Sequence, residues 1–161
     1  MRITAIAAIA ITLLSTACAQ TTASSGGPDA MGKRVDYYGK QKVVYHVNQA
    51  GGDKDAAYMM AMTNVQNHIT AVGKDNIDVK VVMHGDGLGL VKDAKDNMNL
   101  QAKVTNLKDQ QVAFLVCDNT LRGRKINPDK DLFDVDKADI VPSGVAELSR
   151  LQQQGYTYIR P

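Results

Sequence analysis

Gln111-Val112-Ala113-Phe114-Leu115-Val116-Cys117-Asp118-Asn119-Thr120 is the stretch that decides how this chain folds. Its apolar run is unbroken from Val112 to Val116, which reads as a strand covered on both faces, the central position of a parallel sheet. Asp118, Asn119 and Thr120 then open a helical turn, because short polar side chains satisfy the orphan backbone N–H groups of a helix start. A strand that passes straight into a helix is half of a βαβ unit.

Outward from this stretch the same alternation recurs. Upstream, Gln41 to Asn48 is a β-rich run and Ile77 to His84 a second one. Between them, Ala57, Met60, Ala61, Val65, His68 and Ile69 recur at three- and four-residue spacing, so residues 53–72 form a helix with one buried face that ends at Gly73. Asp53 and Asp55 fall in its first turn, where the dipole favours acids. A short helix around Leu88–Ala94 and another over Met98–Leu107 follow. Downstream, residues 124–138 are charged and irregular, and Ala138 to Val141 is a short strand. Ser143 caps a helix that Gly155 stops, and Tyr156 to Ile159 is the last strand. Strands alternating with helices give an α/β domain, a five-stranded parallel sheet with right-handed crossovers and helices on both faces. The expected architecture is a flavodoxin-like three-layer fold with strand order 2-1-3-4-5.

The domain occupies residues 41–161. Ahead of it, Met1-Arg2 and the apolar run Ile3–Leu14 make a signal peptide over 1–19, too short to span a bilayer, so the chain is exported, with the periplasm as its address. Two processing readings stand. Ala17-Cys18-Ala19 suits cleavage before Gln20, whereas Ser15-Thr16-Ala17-Cys18 is a permissive lipobox that would lipidate Cys18 and tether the protein to a membrane. Residues 20–40, rich in Ser, Thr, Gly and Pro, read as a flexible linker. In both readings Cys117 is the one free thiol, which excludes an intrachain disulfide.

Composition removes some functions. A 44% hydrophobic content supplies a core without staples. Nineteen basic and 17 acidic residues are spread evenly, leaving no basic stripe for nucleic acid, and 5% aromatics without Trp make no stacking platform. Gly85-Asp86-Gly87-Leu88-Gly89 lacks the spacing of a dinucleotide fingerprint, and Gly51-Gly52-Asp53-Lys54 is no phosphate loop.

Ligands of open parallel sheets bind at the carboxyl ends of the strands. His46, His84 and Cys117 fall at three such ends, with His46 central if the order is 2-1-3. Cys117 precedes a helix N-terminus, and its N–H groups, with Arg122 or Arg124 folded back, favour a thiolate. An accessible, partly ionised thiol is one reading; a buried structural Cys is the other. His84 and His46 serve either as base partners of the thiol or as groups that satisfy backbone carbonyls. His68 lies mid-helix as a packing or surface residue. Gly85 and Gly87 bring backbone close to the site, and Asn119 and Thr120 are placed to hold an anion. No ligand pair has short metal spacing, so neither a metal nor a cofactor is expected.

The succession His84-Gly85-Asp86-Gly87, the segment Val116-Cys117-Asp118-Asn119-Thr120-Leu121, and the block from Val141-Pro142-Ser143-Gly144 to Ile159-Arg160-Pro161 resemble the DsrE/DsrF-like family, in order, over residues 41–161. The resemblance implies a flavodoxin-like domain that forms homo-oligomers, and a cysteine after the third strand that carries sulfur as a persulfide. That cysteine corresponds to Cys117. The implied function is a sulfur carrier, with small sulfur species or a sulfur-transfer protein as partners. The alternatives are a small-anion or nucleotide-binding module, or an oligomeric adaptor without thiol chemistry.

Overall fold

A computed structural model describes residues 37–161. The expected signal peptide, Cys18 and the linker up to residue 36 lie outside the described residues. Among the described residues, no helix is long and apolar enough to cross a membrane.

Five parallel strands form one sheet: β1 (Gln41–Val47), β2 (Ile77–Met83), β3 (Ala113–Cys117), β4 (Ile140–Val141) and β5 (Thr157–Ile159). Their order is β4-β3-β2-β1-β5, which corrects the expected 2-1-3-4-5. The reason lies in β2. It pairs with β1 on one side and β3 on the other, where the expected order would have left it at an edge; the full burial of Val81, Val82 and Met83 shows only that both faces of the strand are covered. The chain steps in one direction from β1 to β4 and reverses once, returning across the sheet to set β5 beside β1.

That reversal divides the helices. Val43, Tyr45, Val47, Val79, Val81, Met83, Phe114 and Val116 point to one face and share a core with Tyr58, Val65, Ile69, Leu100, Val104 and Leu107. The helical residues belong to α1 (Ala56–Val72), which precedes β2, and α3 (Met98–Asp109), which β2 reaches through a 3-10 turn at Gly85–Leu88 and α2 (Gly89–Asp93). On the opposite face Val44, Val82 and Leu115 meet Leu148, Leu151 and Tyr156. Leu148 and Leu151 come from α6 (Gly144–Gln153), the crossover to β5. Burying those two leucines contributes roughly 3–6 kcal/mol in all, so α6 is far more lightly held than α1 or α3.

Local chemistry sets the element ends. Ser143 Oγ accepts from Ala146 N–H and caps α6, while Asn97 Oδ1 caps α3 by accepting from Asn99 and Leu100. Helix α1 begins at Ala56, three residues later than the acidic first turn implied. Lys54 and Asp55 have φ of 49° and 61°, and a left-handed pair cannot continue a right-handed helix. The helical turn expected after Cys117 is α4 (Asp118–Arg124), and the stretch 124–138 read as irregular contains a single turn, α5 (Pro128–Asp131), capped by Asn127.

Candidate functional site: a thiol cradle beside a histidine pair

Strand alternation puts three reactive side chains on the α6 face. Val44, Val82 and Leu115 point toward α6, so His46, His84 and Cys117, each two residues further on, point the same way. Because β2 lies between β1 and β3, His84 stands in the middle, where the expected order placed His46. The β2–β3 register pairs Met83 with Val116, and one step on sets His84 beside Cys117. His84 prolongs the β1–β2 ladder by one bond, its N–H donating to Val47 O at 3.3 Å.

Gly144 closes the site from above. A Cβ there would lie 3.0 Å from His84 Cβ and 3.3 Å from Cys117 Cβ, so the first turn of α6 sits on both residues. The thiol is therefore 4% exposed, covered more fully than the expected accessible thiol. Burial acts to raise its pKa. Four donors outweigh that and hold it below the ordinary thiol value: Gly144 N–H, the Thr120 hydroxyl, Thr120 N–H and Asn119 N–H. The Thr120 hydroxyl is aimed by a second bond. Its oxygen accepts from Gly85 N–H at 3.0 Å, leaving its own proton for Cys117 Sγ.

Beside the cradle lies a hydrogen-bonded trio. His46 Nε2 is 2.7 Å from His84 Nε2, and His46 Nδ1 is 2.6 Å from Tyr158 Oη. The ring centroids of the two histidines are 4.7 Å apart, and with that nitrogen contact the rings meet edge to edge. His46 is 9% exposed. Burial lowers the pKa of both imidazoles, and His46 is lowered further by His84 and by Arg160, so both are neutral near pH 7.

The remaining expectations divide. Gly85 N–H serves Thr120, and Asn119 contributes its backbone N–H to the thiol while its side chain accepts from Arg122 at 2.7 Å. Gly87 packs against β1, where a Cβ would overlap the Val47 carbonyl. Neither arginine folds back onto the sulfur: Arg122 pairs with Asp118, and Arg124 with Asp86 at 2.7 Å. His68 is a packed polar residue bridging Tyr45 Oη (2.9 Å) and Gln41 Oε1 (2.7 Å). No group of three ligating side chains suited to a metal occurs among the described residues. Gly144, Tyr158 and Arg160 escaped the sequence reading. The first two act through the neighbour of β5 and the seat of α6, which one-dimensional alternation does not carry.

The fold and site define a class: a doubly wound α/β domain with a thiol of lowered pKa at the carboxyl rim of its sheet, flanked by neutral imidazoles. The DsrE/DsrF-like family pattern matches residues 41–161, and the chain belongs to that family. Among solved structures it is similar to a protein of unknown function from Methanobacterium thermoautotrophicum, at 30% identity and a TM-score of 0.64, covering 76% of this chain and 100% of that one. No curated protein matches the chain.

Proposed function

We propose that this protein is a sulfur carrier that binds sulfane sulfur as a persulfide on Cys117. The observation that carries the reading is the cradle of four hydrogen-bond donors around one sulfur atom. Donors that favour a thiolate over a thiol also favour the terminal anion of a persulfide, and a thiolate is the form that attacks sulfur. With thiosulfate as donor, the Cys117 thiolate attacks the outer sulfur. A new S–S bond forms, the S–S bond of thiosulfate breaks, and sulfite leaves with the electron pair.

A thiol 4% exposed favours small sulfur species over bulky ones. A sulfur-transfer protein as partner requires the first turn of the lightly held α6 to lift. Export to the periplasm, with Cys18 removed or lipidated, and homo-oligomerisation complete the proposal. The alternative of a nucleotide or small-anion module is disfavoured by charge. The cleft on the α1 side of the rim, of about 410 Å³, sets Asp55, Asp86 and Asp93 against Lys92 and Arg124. Phosphates entering there meet a net acidic wall. The test is sulfite release on mixing the reduced, folded protein with thiosulfate. One sulfite per chain, lost in Cys117→Ser, supports the carrier; sulfite at the buffer rate sinks it.

A further inference from the structure

We propose that Tyr158, His46 and His84 form a proton wire that carries a proton between the Cys117 rim and solvent at the β5 edge. This deepens the carrier reading and rests on it for its chemical use, though not for its existence.

The wire follows from counting hydrogens. A neutral imidazole carries one N–H, and an Nε2-to-Nε2 contact of 2.7 Å needs a proton on one nitrogen and a lone pair on the other. The two rings therefore hold opposite tautomers. In one arrangement Tyr158 donates to His46 Nδ1, His46 Nε2–H donates to His84 Nε2, and His84 carries its proton on Nδ1. In the other, every bond runs the opposite way and His84 Nδ1 is a bare base. Among the described residues His84 Nδ1 has no protein partner, which leaves it for a reactant at the rim. The outer end is wet: Tyr158 is 40% exposed while His46 between is 9% exposed. The charged and titratable groups facing the wire are Arg160 beside His46 and Cys117 beside His84; Glu147 on α6 is tied to Arg150.

Discharge of the carrier uses such a path. An acceptor thiol R–SH gives its proton to His84 Nδ1 as its sulfur attacks the outer sulfur of the Cys117 persulfide. The R–S–S bond forms, the Cys117 S–S bond breaks, and Cys117 leaves with the electron pair as thiolate. His84 Nε2–H passes its proton to His46 Nε2, His46 Nδ1–H passes its proton to Tyr158 Oη, and the tyrosine proton goes to water. One proton enters and one leaves. Tyr158 and His46 touch no reacting sulfur and act as positioning residues through His84.

The experiment loads the full chain with polysulfide and measures discharge to two acceptors at neutral pH. One is an alkyl thiol, 2-mercaptoethanol, largely protonated; the other is the aromatic thiolate 5-thio-2-nitrobenzoate, already ionised. Tyr158→Phe is expected to slow the alkyl thiol about tenfold, below the range of a whole general base because His84 remains, and to leave the aromatic thiolate unchanged. Equal slowing of both, or of neither, overturns the wire. Nitrogen-15 NMR of the histidines supplies an independent arm. Wild type is expected to show opposite tautomers and a bridging N–H proton, with the tautomer preference lost in Tyr158→Phe. Matching tautomers, or no change in the variant, reject the proposal even if Cys117 never loads. Failure to load with the tautomers as expected rejects the carrier and keeps the wire.

Discussion

Replacing Thr120 with Val tests the thiol cradle with almost no change in shape. The hydroxyl takes part in two bonds: it accepts from Gly85 N–H at 3.0 Å and donates to Cys117 Sγ. A hydrogen bond to an ion contributes ~1.5–3 kcal/mol and one to a neutral group ~0.5–1.5 kcal/mol. The difference, on the order of 1–1.5 kcal/mol, is what the hydroxyl contributes to the thiolate over the thiol. At a pH below the thiol's midpoint this is about a tenfold loss of thiolate. The assay is the rate of Cys117 alkylation by iodoacetamide against pH, checked by thiolate absorbance. Thr120→Ser, which keeps the hydroxyl, is expected to react like wild type, and Thr120→Val about tenfold more slowly at the same pH. The valine variant also leaves Gly85 N–H without its acceptor, which costs ~1–3 kcal/mol of stability. An unchanged pH–rate profile in a folded Thr120→Val protein would refute the assignment of Thr120 as a donor to sulfur.

Three further outcomes follow from the geometry. Gly144→Ala sets a methyl 3.0 Å from His84 Cβ and 3.3 Å from Cys117 Cβ. Calorimetry should show ~1–3 kcal/mol lost to overpacking, together with slower alkylation as the Gly144 N–H withdraws from the sulfur. Asp93 has its pKa raised by burial and then by the charge of Asp55, so its stabilising share is present at low pH and is lost as pH rises through the folded value. Asp93→Asn should therefore raise the thermal midpoint at neutral pH and leave it near wild type in acid; the reverse ordering contradicts this. His46 and His84 have lowered values, the opposite sign. Stability should fall as pH drops below the unfolded imidazole value of about 6.5, and a His46→Gln, His84→Gln double variant should show a flatter thermal midpoint from about pH 7.5 to 5.

How much of this was legible in the sequence depends on what each feature rests upon. Element types came from periodicity: the five strands and the main helices sit where alternation and caps put them, with Ser143 capping α6 and Gly155 at φ 87° behind it. Strand order was not legible, because a run such as Val81-Val82-Met83 states that both faces are covered without naming its neighbours. One misplaced strand moved His84 from the flank of the site to its centre. The start of α1 was missed because two successive left-handed residues, Lys54 and Asp55, are not Gly and carry no sequence mark. That Cys117, His84 and His46 share one rim could be read, since the ends of parallel strands converge there. Part of the cradle was legible too, since a helix start after Cys117 offers the N–H groups of Asn119 and Thr120; the Gly144 N–H was not, because it arrives from a helix that follows the next strand.

The claim beneath the whole account is that one sulfur atom, held by those donors, takes on a second. Intact-protein and peptide mass spectrometry after brief exposure of the reduced chain to polysulfide tests it most directly. The account predicts a gain of one sulfur atom on the peptide holding Cys117, removed by a thiol and absent in Cys117→Ser. A folded protein whose Cys117 peptide stays at its native mass, under conditions that load free cysteine, would contradict it.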